Sequence, residues 1–138
     1  GLVGDDGHLR PEIFEGPVAD VLMKHKTVLI YCNREAIAQA LARSLARHCM
    51  KYAMVTGKTP KLLKETIIQE FLSGEHSILI GTATLATGTD GMDRVCDTLL
   101  ILDDTDDDAL RRQLIGRIMP RGDFVSTAAK QVLRLLPA

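Results

Sequence analysis

Tryptophan is absent and aromatic residues make up only 4% of the chain, so Leu, Ile, Val, Ala and Met must fill whatever interior it builds. No apolar run approaches the roughly 18 residues of a membrane span, and no signal peptide opens the sequence. An excess of either charge is missing too. The net charge of −1 argues against a strongly basic protein that coats nucleic acid, while leaving room for a local basic face. Cysteine is sparse: Cys32, Cys49 and Cys96 form an odd set without a C-x-x-C pair or a metal-like Cys/His spacing, as expected of reduced thiols in a cytosolic protein. There are no internal repeats and no low-complexity tracts. The one charge run is Asp103, Asp104, Asp106, Asp107 and Asp108.

What is present is enough for one domain. At 138 residues and 46% hydrophobic, the chain can bury a sizeable core. Four short apolar runs, at residues 27–32, 52–55, 77–80 and 98–102, alternate with helical patterns. The first is continuous and β-branched, as a strand covered on both faces should be. Residues 34–48 carry Ile37, Leu41 and Leu45 beside Ala38, Ala42 and Ala46, a helical stripe. Pro60 suits the first turn of the next helix, with Thr59 available as its cap, and Gly74 marks its end. Further helices are expected from a start near Asp104 to Asp106 toward Gln113, over residues 126–136, and over 12–25, where Gly16-Pro17 should disturb the pattern. Residues 1–26 thus read as a linker and lead-in helix, and 27–138 as the domain, possessed of a start that suggests a piece of something longer. Alternating strands and helices specify right-handed crossovers and a three-layer α/β/α fold with a mostly parallel sheet.

Open parallel sheets bind ligands at the carboxyl ends of their strands. That edge should carry Asn33 and Arg34, then Thr56, Gly57 and Lys58, then residues 81–90, then Asp103 and Asp104. Gly57-Lys58-Thr59 lies between a strand and a helix, but a P-loop needs a glycine five residues earlier, where Tyr52 stands. A strand-end loop touching a nucleic-acid backbone is the better functional reading, and a turn with a solvated lysine the plainer one. The strand ending in Asp103-Asp104 looks like a magnesium-binding strand, but without a P-loop its aspartates are more simply the first turn of a helix, favoured by the dipole. Cys32 sits where a phosphatase nucleophile would, yet Ala38 occupies the position that a C-x5-R loop needs for arginine. The four histidines lie at element ends in surface or capping roles, and Arg111-Arg112 reads as a solvated helix face.

Arg117 and Arg121 stand apart. They are four residues from each other, with Gly116 directly before the first, in the stretch Gln113-Leu114-Ile115-Gly116-Arg117-Ile118-Met119-Pro120-Arg121. A guanidinium binds phosphate oxygens in a planar fork and stays charged at any working pH. Glycine allows close backbone approach. These arginines are either fingers reaching a nucleotide held mainly elsewhere, or a pair salt-bridged to the acidic run.

These stretches together resemble the second, C-terminal RecA-like lobe of superfamily 2 helicases over residues 27–123. Residues 28–34 resemble its motif IV strand and Phe71-Leu72-Ser73-Gly74 its F-x-x-G. Thr82, Gly88 and Asp90, at spacing T-x5-G-x-D, resemble motif V, and residues 113–121 resemble motif VI, Q-x-x-G-R-x-x-R. The resemblance implies that Gly88, Asp90, Gln113 and Gly116 serve the nucleotide and Thr82 a backbone phosphate, with Arg117 and Arg121 as fingers. Pro120 stands where the family's second arginine usually falls, so Arg121 must substitute by a local shift or that finger is weakened. Motif VI opening with glutamine resembles the DNA-directed branches, including UvsW-like recombination helicases.

The expectation is therefore a motor lobe that works with ATP and magnesium held mainly by an absent N-terminal RecA-like lobe, in the cytoplasm or on the nucleoid. It would contact single-stranded or branched DNA, rather than RNA, through phosphates at Asn33, Arg34, Thr56, Gly57, Lys58 and Thr82, with no metal site of its own and no membrane. The rival readings are a non-catalytic RecA-like module binding nucleic acid or protein, and a small flavodoxin-like or rhodanese-like enzyme, which lacks a nucleophile or cofactor loop.

Overall fold

The computed structural model describes residues 2–86, 95, 96, 98–118 and 131–134. Among the described residues, five parallel strands form one sheet in the order β2-β3-β1-β4-β5, with β1 Val28–Cys32, β2 Ala53–Val55, β3 Ile78–Gly81, β4 Thr98–Asp103 and β5 Gln131–Arg134. Successive side chains of a strand point to opposite faces. Val28, Ile30, Ile78, Ile80, Leu100 and Leu102 therefore meet one core, and Leu29, Tyr31, Leu79, Leu99 and Ile101 another. Both faces are covered, which explains why the strands read as continuous apolar runs rather than alternating ones.

On the first face lie the lead-in segments and α3, Glu35–Arg47. Helix α1, Pro11–Ile13, passes through a π-helical stretch at Phe14–Val18 into α2, Ala19–Lys24. The wide turn falls where expected: Pro17 has no N–H to give, and the extra residue lets the chain continue without a break. Phe14, Val18 and Val21 are buried, and residues 2–10 fold back in a bridge between Val3 and Leu9. The Leu9 amide donates to Ser44 Oγ at 3.0 Å, Arg43 donates to the Gly7 carbonyl at 3.1 Å, and Phe14 stacks on His48 at 4.6 Å. The opening segment thus packs on α3, which is why Ala40 and Ser44 are buried beside the expected Ile37, Ala38, Leu41, Ala42 and Leu45, whereas Ala46 is exposed.

The second face carries α4, Lys61–Leu72, and α5, Asp108–Ile118, with the 3-10 turn Ala83–Ala86 between β3 and the rest. Pro60 precedes α4 as its cap residue and Thr59 does not cap it. The Thr59 hydroxyl instead accepts from the Thr56 amide at 3.0 Å and closes the preceding loop. Helix α5 starts two residues past the expected window of Asp104 to Asp106, because Asp107 caps it: Asp107 Oδ1 accepts from the Ala109 and Leu110 amides at 3.0 and 3.2 Å, and the helix runs five residues past Gln113. The helix expected over 126–136 is corrected at its centre, where Gln131–Arg134 is a strand paired to β4. A short apolar run has no decisive period, and the open edge of β4 supplied the backbone partners that decided it.

Helix α3 ends in a left-handed residue that is not glycine. Cys49 has φ +58°, while the Cys49 amide donates to the Ala46 carbonyl at 3.0 Å and the Met50 amide to the Leu45 carbonyl at 2.9 Å. Its side chain is exposed, so Cys49→Gly removes strain and little packing. The substitution is expected to stabilise the chain by about 1 kcal/mol, read as a higher urea midpoint at unchanged m-value. An unchanged midpoint would show that the turn is unstrained.

Candidate nucleotide and nucleic-acid interface

Since all strands run the same way, their carboxyl ends share one rim, and the strand order sets neighbours along it. Thr56 follows β2, Thr82 follows β3, Asn33 and Arg34 follow β1, and the acidic loop follows β4. Thr82 and its neighbour are linked directly: the Thr82 amide donates to the Val55 carbonyl at 3.3 Å.

The centre of the rim is built by Asp103. A register shift after Tyr31 places Cys32 opposite Asp103, with Leu102 as the extra residue in β4, the kind of bulge that re-aims side chains at a sheet end. The Asp103 carbonyl accepts from the Asn33 amide at 2.9 Å, and its Oδ2 from the Arg34 amide at 2.8 Å. Its carboxylate also takes Arg34 Nε at 3.2 Å and Nη2 at 3.0 Å, a side-on bidentate pair. The Asp103 side chain is 9% exposed and that of Arg34 65%. Hydrogen bonding to Asp103 raises the Arg34 guanidinium further above its already high pKa. Beneath them Tyr31, fully buried, donates its phenol to Asn33 Oδ1 at 2.9 Å, and burial pushes that phenol up to about 12. Cys32 is buried, and burial also pushes its thiol well up, so it is a core residue and no nucleophile.

The Thr56–Thr59 loop is tied within itself. The Thr56 hydroxyl accepts from the Lys58 amide at 3.2 Å, and Thr56 is buried, so it shapes the loop more than it faces solvent. Gly57 and Lys58 are exposed. Lys58 Nζ lies 3.0 Å from Glu35, and Lys58 first, then Thr56, hold the Glu35 carboxyl below its ordinary pKa. With the lysine side chain 86% exposed, that ion pair is screened by solvent and weak. Thr82 is buried, and its carbonyl accepts from the Leu85 amide at 2.9 Å. Gly81 permits this turn: a Cβ there would lie 2.3 Å from Leu85 Cγ. Lys64 of α4 donates to the Thr84 carbonyl at 2.8 Å and fixes the same turn from the other side.

Arg111 corrects its reading as part of a solvated face. Its Nε donates to Asp104 Oδ1 at 3.0 Å, Nη1 to Asp108, and Nη2 to the Thr105 carbonyl, so it fastens α5 to the loop that leads into it. Arg112 is exposed, as expected. Asp103 and Asp104 are engaged by arginines and do not belong to a helical first turn. On α5, Leu114 is fully buried and anchors the helix against the second core and the Ala83–Ala86 turn. Gln113 and Gly116 are exposed, and open space surrounds a Cβ at Gly116, so the backbone there approaches no other described part of the chain. At 3.6 residues per turn, positions 113, 116 and 117 fall along one stripe of the helix. The Arg117 backbone is the last turn of α5. Gly88, Asp90 and Arg121, expected at the nucleotide, lie outside the described residues. Asp103, Arg111 and Lys64 organise the rim; the sequence places Asp103 there and marks Arg111 only as a helix face, and nothing in it marks Lys64. The i,i+3 spacing of Asp108 and Arg111 is a helical signal, whereas the bond between Arg34 and Asp103 spans 69 residues.

A parallel sheet covered on both faces, with its polar loops on one rim, defines a doubly wound α/β lobe whose ligand edge lies at the carboxyl ends of its strands. A family model for the helicase conserved C-terminal domain matches residues 17–122, and the chain belongs to that family. The ATP-dependent RNA helicase RhlB of Xanthomonas axonopodis pv. citri is 28% identical over 111 residues, which cover 79% of this chain and 19% of the relative. The same enzyme of Xanthomonas campestris pv. campestris matches equally, and the chain thus spans 19% of the length of these relatives. Among solved structures, the C-terminal part of the Fun30 ATPase domain superposes with a TM-score of 0.72 at 18% identity, covering 92% of this chain and 43% of that one. The C-terminal domain of the DEAD-box protein Dbp5 gives 0.68 at 17%, covering 91% and 71%. These structures share the fold. Among the described residues no helix is long and apolar enough to cross a membrane.

Proposed function

We propose that the chain is the C-terminal motor lobe of an ATP-dependent helicase or translocase, supplying arginine fingers and strand-phosphate contacts to a site completed by an N-terminal RecA-like lobe. The observation that carries this reading is the single rim on which Asn33, Arg34, Lys58, Thr82 and the start of α5 are assembled. ATP and magnesium would sit mainly on the other lobe, where the metal neutralises phosphate charge. On this lobe Gly88, Asp90, Gln113 and Gly116 would serve the nucleotide, with Arg117 following them on the last turn of α5. Closure brings Arg117 and Arg121 to the γ-phosphate, and opening after hydrolysis moves one lobe along the strand.

The strand we propose is RNA. Only the glutamine that opens the last motif pointed to DNA, to a UvsW-like branch and to recombination, whereas the matching relatives are named RNA helicases. Phosphate contacts bring little sequence preference in either case.

The isolated 138-residue chain is expected to show no ATPase and to bind single strands weakly, with similar affinity for all sequences and a steep fall with salt. Lys58→Ala should weaken every sequence alike. Titrating fluorescein-labelled oligouridylate and oligothymidylate at several salt concentrations checks the binding, and a coupled phosphate-release assay checks turnover. Sustained ATP hydrolysis by the lobe alone, or salt-insensitive binding, would overturn the two-lobe reading. Tighter binding of the thymidylate would return the strand assignment to DNA.

A further inference from the structure

The remaining donors at the centre of the rim form a matched set. Arg34 offers two bidentate edges, Nε/Nη2 and Nη1/Nη2. Asp103 occupies the first, side-on edge, which leaves the end-on edge on a guanidinium that is 65% exposed. Asn33 could present either a carbonyl or an amine to a ligand. Tyr31 donates to its Oδ1, so the Nδ2 donors are what the exposed end of the side chain offers. The two neighbouring backbone amides are also held by Asp103, Asn33 through the carbonyl and Arg34 through Oδ2. A buried carboxylate and a buried phenol thus leave the free donors of two adjacent exposed side chains facing outward, which suits a phosphodiester oxygen better than a base edge, with its mixed donors and acceptors.

We propose that Asp103 and Tyr31 are positioning residues for strand binding, which hold Arg34 and Asn33 as a preorganised phosphate cradle without touching the strand themselves. This rests on the strand-contact reading above. It makes a prediction opposite in sign to simple electrostatics. Asp103 is a negative charge one residue's reach from the phosphate, so by charge alone Asp103→Asn should tighten binding. By positioning, it loosens binding, because the fork swings free and its rotamer entropy must be lost again each time a phosphate is held.

The test is a double-mutant cycle in the full-length protein that carries this lobe, with a fluorescein-labelled oligouridylate as probe and melting temperatures measured alongside. Arg34→Ala is expected to weaken binding and lower the salt slope by about one. Asp103→Asn is expected to weaken binding roughly fivefold in the Arg34 background and hardly at all in the Arg34→Ala background, a coupling of the size found for residues in one hydrogen-bonded network. Should Asp103→Asn impair folding, Tyr31→Phe serves in its place. It keeps the buried ring, removes only the hydroxyl, and is expected to weaken binding when Asn33 is present but not beside Asn33→Ala. Tighter binding by Asp103→Asn, or the same loss with and without Arg34, overturns the positioning role while leaving Arg34 as a strand contact. An Arg34→Ala variant that binds normally fails at the earlier step: it removes the strand contact, and the positioning role with it.

Discussion

Arg117→Ala in the full-length motor is expected to lower kcat by about a thousandfold while nucleotide affinity stays nearly unchanged. An arginine finger interacts more strongly with the transferring phosphoryl group than with bound ATP, so its loss appears in turnover and not in ground-state binding. A thousandfold corresponds to about 4 kcal/mol of transition-state stabilisation. Arg121→Ala should cost less, since Pro120 occupies the position of the second arginine in the family pattern and Arg121 must reach the site by a local shift. The rival view, a salt bridge from Arg117 to the acidic run, predicts a lower melting temperature and normal turnover per folded molecule. That view has lost partners: Asp103 is bound by Arg34, and Asp104 and Asp108 by Arg111. Steady-state ATPase and thermal melting on the same two variants separate the readings. Normal kcat in both would sink the finger assignment.

The sheet was legible in the sequence because strands buried on both faces leave uninterrupted β-branched and aliphatic runs, and each of the first four strands begins and ends within a residue of its run. Helix α4 was equally plain, through Ile68 and Phe71 and the glycine that ends it. Three features escaped for physical reasons. The fifth strand carries a run too short to show a period, and its identity came from an open neighbouring edge. The packing of residues 2–10 onto α3 depends on Ser44 and Arg43, polar residues that no hydrophobic pattern marks. Asp103 was weighed as a metal ligand or a helix-start residue, whereas a bulge in β4 brings it beneath Asn33 and Arg34. Sequence spacing placed Asn33 and Arg34 at the carboxyl end of β1, where the structure has them. It could not show that a buried carboxylate and a buried phenol orient them, because those bonds span 69 residues in one case and depend on burial in the other.

Phe71→Ala is expected to destabilise the lobe by about 3–5 kcal/mol, a large share of the roughly 5–15 kcal/mol typical of a whole domain. Phe71 is fully buried in the core between α4 and the sheet, among Ile68, Val55 and Leu79. Its neighbours are themselves close-packed and buried, so they relax into the cavity only in part. The glycine of the same F-x-x-G acts differently. Gly74 has φ +89°, its amide donates to the Phe71 carbonyl at 3.2 Å, and the Glu75 amide donates to the Glu70 carbonyl at 2.9 Å, so the helix ends in a Schellman turn. A Cβ at Gly74 meets nothing within 4 Å, and Gly74→Ala should cost only the left-handed strain, about 1–2 kcal/mol. Urea unfolding of both variants measures the ratio. Phe71→Ala losing most of the lobe's stability, with Gly74→Ala losing a fraction of it, would show that the motif's phenylalanine is packing and its glycine is backbone geometry. A larger loss at Gly74 would mean that the turn, and not the ring, holds α4 against the sheet.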